Sequence, residues 1–192
     1  MQTRRLGYTD LKLTTHSSCV VRDAFSVNAT TQYALRNTRY GAEVTSLQPP
    51  YSMLHREAED GVLDYCARNN IGVLAYSPMQ RGLLTGKFSR QYLAKLAPDD
   101  HRRKNPDFRE PQFSATLELV DKLRPIAKRN GRTLAQLAIA WVLRRPQVTA
   151  AIVGARRPSQ IIETAPASDW NLSKEDIEEI EKLLGNRQEK LK

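Results

Sequence analysis

Cysteine, histidine and long apolar runs are all scarce in this chain, and each shortage removes a class of protein. The only cysteines are Cys19 and Cys66. They are too far apart for a zinc-ligand spacing, and they read as free thiols of a reducing compartment rather than a disulfide framework. The only histidines, His16, His55 and His101, stand in no ligand-like pattern and read as surface or packing residues, so no metal site is expected. No apolar stretch approaches the roughly 18 residues of a membrane span. The opening MQTRRLGYTDLKL also lacks the apolar centre of a signal peptide, so the expectation is a cytoplasmic protein without a membrane partner. There is no internal repeat and no low-complexity segment.

What is present describes a folded domain. A content of 40% hydrophobic and 27% charged residues suits a soluble globular chain and not a disordered one. The 192 residues suffice for one domain with a sizeable core. The net charge of +9 raises the question of a nucleic-acid partner. The densest basic clusters are HRRK at 101–104, Arg144–Arg145 and Arg156–Arg157, and none is interleaved with aromatics for base stacking. A solvated basic surface is the expectation, with no nucleic-acid partner; a dinucleotide phosphate is a more local use for some of that charge.

Along the chain, residues 4–14 predict a hairpin around Gly7–Asp10, residues 17–21 a short buried strand, and 28–37 a helix capped by Asn28. Residues 43–48 read as a strand that stops at Pro49–Pro50. Residues 57–69 read as a helix burying Val62, Leu63 and Cys66, and 71–76 as a strand buried on both faces. A polar stretch of about 25 residues follows and reads as a long loop. Residues 114–130 predict a helix closed by Gly131. Thr133 and Gln136 form a capping box that opens an amphipathic helix with Leu134, Leu137, Ala138, Trp141 and Val142 on one face. Residues 149–154 read as another buried strand, Pro158 starts a helix, and a last helix from Ser173 buries Ile177, Ile180, Leu183 and Leu184 before a fraying tail at 186–192. The alternation predicts parallel strands with helices outside them. The strands are too few for the eight of a (β/α) barrel of about 250 residues.

Three segments fall at predicted strand ends, where α/β folds place ligands. Gln48 offers a carboxamide that both donates and accepts, suited to another carboxamide or simply to its own loop. In AYSPMQRGLLTGK (75–87), Tyr76 offers a ring for stacking, the turn and glycines let amides approach an anion, and Lys87 is a point charge. By themselves these residues also fit an ordinary tight turn. VGARRPSQIIET (153–164) joins a strand, a glycine turn and a helix start with two arginines, the elements of a phosphate site.

Taken together, RRLGYTDLKLT, SLQPPYS, LAYSPMQRGLLTGKF, QLAIAWVL and IVGARRPSQIIET resemble the aldo-keto reductase family. The resemblance is continuous from Glu43 to Leu184, roughly three-quarters of the chain. It implies an α/β fold of truncated TIM (β/α)8-barrel type, with parallel strands and outer helices. It also implies a single domain over 1–192, made of an N-terminal hairpin (1–15) and a C-terminal half-barrel (43–184). The cofactor implied is NADPH. Gln48 then resembles the contact to the nicotinamide carboxamide and Tyr76 the ring stacked on the nicotinamide. Ser77, Pro78, Met79 and Arg81 resemble the loop along ribose and pyrophosphate, with Lys87 beyond. Gly154, Arg156, Gln160 and Glu163 resemble the surroundings of the adenosine and its 2′-phosphate.

The sequence departs from the family pattern at several points. Thr164 stands where the family often has Asn, and Asp23–Ala24 where a Ser-Asn pair is expected. The family's catalytic Tyr, Lys, Asp and His come from the first four strands, which have no counterpart here, so no catalytic residue is nominated. The expectation is an NADPH-dependent carbonyl reductase by family, without the catalytic residues in this chain. The alternatives are a non-catalytic NADPH-binding or interaction half-barrel, associating with itself through open sheet edges, and an inactive deletion remnant.

Overall fold

The computed structural model describes residues 3–5, 12–14 and 44–192. The strand expected at 17–21, the helix expected at 28–37, and His16, Cys19, Asp23 and Ala24 lie outside these residues. The chain divides into two compact units. One takes residues up to Pro78 together with Ile139–Asn171, the other Met79–Ala138 with Leu172–Lys192.

The first unit contains the sheets. β1 (Thr3–Arg5) pairs antiparallel with β2 (Lys12–Thr14), as the hairpin reading requires, and this pair lies beside β5. β3 (Ser46–Leu47), β4 (Gly72–Tyr76) and β5 (Val148–Ile152) form a parallel sheet in the order β3-β4-β5. Residues Gly72–Ala75 are buried, as expected of a strand covered on both faces. Between β4 and β5 the register slips after Val73, which pairs with Val148 while Leu74 pairs with Ala150. Thr149 is the extra residue of this bulge. Its Oγ1 accepts the Val73 N–H at 3.1 Å and so replaces the missing carbonyl of the ladder.

The helix expected over 57–69 is shorter. A 3-10 turn at Glu57–Glu59 ends at Asp60, and Gly61 at φ +94 resets the chain before α1 (Val62–Arg68). A left-handed glycine stops the helical ladder there. Leu63 and Cys66 are buried in α1, and Val62 is half-buried. The unit also holds α5 (Pro158–Thr164), with Pro158 at its first position, and a following 3-10 turn at Ala165–Asp169.

The second unit is helical. The stretch expected to be a loop is organised instead by local caps. Ser89 Oγ accepts from Tyr92 N–H to open α2 (Arg90–Ala94), while Asp100 and Asn105 cap 3-10 turns at His101–Lys104 and Pro106–Phe108. Short polar side chains that bond nearby amides produce such turns without hydrophobic periodicity, which is why the pattern was invisible. α3 (Gln112–Arg129) buries Phe113, Thr116, Val120, Leu123 and Ala127, each large apolar side chain contributing about 1.5–3 kcal/mol. It ends in a Schellman arrangement. Arg132 N–H donates to the Ala127 carbonyl at 2.9 Å, and Gly131, at φ +63, donates to Lys128 at 3.0 Å.

The expected capping box opens α4 (Leu134–Leu143). Thr133 N–H donates to Gln136 Oε1 at 2.9 Å, and Gln136 N–H donates to Thr133 Oγ1 at 3.2 Å. Ser173 caps α6 (Lys174–Glu189), which packs on α3. Arg129 reaches both Asp176 and Glu179, and Asn130 Nδ2 donates to Asp176 Oδ2 at 3.0 Å. The tail does not fray as expected. α6 continues to Glu189 because Arg187 donates to Thr116 Oγ1 at 3.0 Å and Lys190 pairs with Glu118 at 2.7 Å. Among the described residues no helix is long and apolar enough to cross a membrane.

Candidate functional site

The parallel sheet brings the three singled-out segments to one end, the C-terminal ends of its strands. Pro50 bridges Tyr76, and Tyr76 is in register with Ile152. Gln48 follows β3 directly, Tyr76 ends β4, and Gly154 comes two residues after β5. With neighbouring strands about 4.8 Å apart, these positions spread over roughly 10 Å. Tyr76 is 36% exposed after four buried residues. Its N–H donates to the Pro49 carbonyl at 3.0 Å, and its own carbonyl accepts from Tyr51 N–H at 3.2 Å. A flat ring therefore stands on a held backbone, which is what stacking requires. Gln48, two residues before the Pro50 that bridges Tyr76, is half-buried. Ser77 follows at φ +57, a left-handed conformation that costs a non-glycine residue about 1–2 kcal/mol, and the buried Pro78 fixes the turn.

Beyond β5, Gly154, Arg156 and Arg157 are exposed, while Gln160 and Glu163 of α5 are half-buried. Gln160 Oε1 accepts from Arg156 N–H at 2.7 Å and from Arg157 N–H at 3.2 Å. Two of the backbone amides at this helix start are thus engaged by Gln160. The capacity of this corner for an anion rests on the exposed guanidinium groups. Thr164 Oγ1 donates to the Gln160 carbonyl at 2.8 Å.

In the second unit, Met79 is half-buried and Arg81 and Lys87 are exposed. Gln80 and Arg81 hold φ +44 and +54, followed by Gly82 at +97. Gln80 is buried and donates from Nε2 to Asp107 Oδ2 at 2.6 Å, which fixes this strained turn. Strain retained in a loop is a pointer to function. Gly86 has a packing reason. At φ +72 it accepts Arg124 Nη2 at 3.2 Å through its carbonyl, and a Cβ there would come within 2.5 Å of Leu134 Cδ1. Two of the three cations in HRRK also serve the fold. Arg102 chelates Asp100 and lies 5.5 Å over the Phe88 ring, while Arg103 caps the carbonyls of Ala94 and Leu96.

One cluster in the first unit escaped the sequence reading. Tyr51 Oη donates to Glu59 Oε1 at 2.5 Å and accepts from Arg144 Nη1 at 3.0 Å. Arg56 and Arg145 meet Glu59 Oε2 at 2.7 and 2.9 Å, and Arg144 meets Oε1 at 3.4 Å. The Arg144 guanidinium lies 3.6 Å over the Trp141 ring, itself 5.4 Å from the Tyr51 ring. Burial alone would raise the Glu59 carboxyl. Hydrogen bonds from Arg56, Tyr51 and Arg145 outweigh it and hold the group at about 2. Burial pushes the Tyr51 hydroxyl up. The visible signal was Arg144–Arg145 closing an apolar helix, a place where an inward-turned arginine needs an acid.

His55 lies 3.8 Å from Glu57 and His101 3.9 Å from Asp100, both partly or largely exposed. No group of acidic, His and Cys side chains fit for a metal occurs among the described residues. Cys66 is a buried free thiol, pushed up to about 11 by burial.

Comparison with known proteins gives these strand ends their context. The model of the aldo/keto reductase family matches residues 24–184. The aldo-keto reductase YhdN of Bacillus subtilis (strain 168) is 38% identical over 146 residues, covering 76% of this chain and 44% of that protein. The NADH-specific methylglyoxal reductase of Escherichia coli (strain K12) is 30% identical over 156 residues, covering 81% and 46%. The structure of a glycerol dehydrogenase from Gluconobacter oxydans matches with a TM-score of 0.74 at 30% identity, over 82% of this chain and 47% of that one. The chain spans a little under half the length of these relatives. The α/β class, with parallel strands and outer helices, is shared with them, and the described residues contribute three parallel strands. On the family match over residues 24–184 and the order of its strand-end segments, the chain belongs to the aldo-keto reductase family.

Proposed function

We propose that this chain carries the NADPH-binding part of an aldo-keto reductase site and has no proton donor of its own for carbonyl reduction. The observation that carries the reading is an exposed Tyr76 ring on a doubly held backbone, with Gln48 two residues before the Pro50 that bridges Tyr76, at the C-terminal ends of neighbouring strands. Gln48 bonds the nicotinamide carboxamide and Tyr76 stacks on the nicotinamide. Ser77, Pro78, Met79, Arg81 and Lys87 follow ribose and pyrophosphate. Gly154, Arg156, Gln160 and Glu163 surround the adenosine. When bound, the cofactor supplies a hydride to a carbonyl carbon; the chain's own residues bind and orient it.

NADPH is preferred to NADH because Arg156 and Arg157 are exposed at the β5 corner, and guanidinium forks suit a phosphate. The Escherichia coli relative is named for NADH, so the choice needs testing. Titration with NADPH, followed by nicotinamide fluorescence with NADH as control, is expected to saturate at micromolar NADPH and to be weaker for NADH. Absence of binding at millimolar concentration overturns the proposal. Steady NADPH oxidation with an aldehyde panel would overturn the part that denies the chain a proton donor.

A further inference from the structure

The placement of Gln48 and Tyr76 depends on a very short connection. β3 contributes two residues, and Pro49 and Pro50 carry no N–H. Within 49–51, Tyr51 therefore supplies the sole amide donor. That N–H meets the Tyr76 carbonyl at 3.2 Å, while the Pro49 carbonyl takes Tyr76 N–H at 3.0 Å. Tyr51 is in turn fixed by its side chain. Its ring is fully buried against Trp141, and its hydroxyl ends on Glu59 at 2.5 Å. Glu59 is the acid on which Arg56, Arg144 and Arg145 converge. Removing its charge takes from Tyr51 a charged acceptor and leaves three guanidinium groups facing one another.

We propose that Glu59 is a positioning residue: acting through Tyr51, it holds the strand-end segment that carries Gln48 and the backbone of Tyr76. The inference rests on the reading of those two residues as contacts of the nicotinamide end.

The test compares the full chain with Glu59→Gln and with Tyr51→Phe, which keeps the ring and removes only the hydroxyl. Amide exchange of Tyr51 and Tyr76 is expected to speed up about tenfold in both variants, the effect of one lost hydrogen bond. Val73 N–H, held by Thr149, is the internal control: it reports the loss of global stability, and the tenfold is the increase at Tyr51 and Tyr76 beyond it. The Kd for NADPH rises about tenfold, again the loss of one hydrogen bond, while that for adenosine 2′,5′-bisphosphate, which lacks the nicotinamide, is unchanged. Unaltered exchange at Tyr51 and Tyr76, an increase shared equally by Val73, or equal weakening of both ligands each overturns the proposal. A wild-type chain that binds no NADPH defeats the cofactor reading alone, and amide exchange then decides the positioning claim by itself.

Discussion

Replacing Glu59 by Gln perturbs stability in a way whose size and pH dependence follow from the geometry. The side chain is only 13% exposed and faces three arginines and a tyrosine hydroxyl. Its pKa falls from the ordinary value of 4.5 to about 2 in the folded chain. At about 1.4 kcal/mol per pH unit, this corresponds to roughly 3 kcal/mol of folded-state preference for the carboxylate. Removing one partner of a buried ion pair costs a similar amount, about 3–5 kcal/mol. Because the folded pKa is depressed, the contribution is fully present above pH 4.5 and is lost as pH falls towards 2. The assay is urea unfolding followed by tryptophan fluorescence, for wild type and Glu59→Gln, at pH 7 and pH 3. A gap of roughly 3 kcal/mol at neutral pH should shrink to under half by pH 3, since every other acid titrates in both proteins. A gap that is equal at the two pH values, or below about 1 kcal/mol at pH 7, would refute the assignment of Glu59 as an ionised hub.

Two further outcomes are expected. Gly86→Ala should destabilise the chain by about 2–3 kcal/mol, part from the left-handed φ and part from displacing Leu134, read by urea unfolding; a loss under about 0.5 kcal/mol, the range of an ordinary surface change, would show that the turn relaxes freely. Cys66, buried and pushed up to about 11, should react with a disulfide reagent at pH 8 only when denaturant is added, as mapped by mass spectrometry; rapid labelling of this residue without denaturant would contradict its burial.

The parts legible in the sequence are those encoded by neighbouring residues. Thr133 with Gln136, Pro158, Ser173 and Gly131 announce helix ends because each makes its bond within a few positions. The parallel strands were legible from apolar runs bounded by turn residues. The break at Gly61 was missed because the spacing of Val62, Leu63 and Cys66 signals a helix without marking where it starts, and φ +94 ends the preceding turn. The turns of 89–108 were missed because Ser89, Asp100 and Asn105 act by local bonds that leave no periodic trace. The tail at 186–192 looked polar and loose. Its order comes from Thr116 and Glu118, about 70 positions earlier. At the candidate site, Gln48 and Tyr76 were legible as strand-end residues. Their placement on neighbouring strands came from sheet register, and the Glu59 cluster joins residues up to 93 positions apart. No local pattern records such a meeting.

The clasp on Tyr76 has a consequence for what the position can accept. Both its backbone groups are bonded, to Pro49 and Tyr51, so the conformational entropy of that backbone, about 1–2 kcal/mol per residue, is already surrendered in folding. A planar ligand that meets the ring has to order only two side-chain torsions, and the platform is preorganised. The location is therefore set independently of the residue that fills it. Phenylalanine or tryptophan at position 76 would rest on the same held backbone as tyrosine. Under the proposed reading of Tyr76, exchange among them tunes stacking on the nicotinamide without rebuilding the fold.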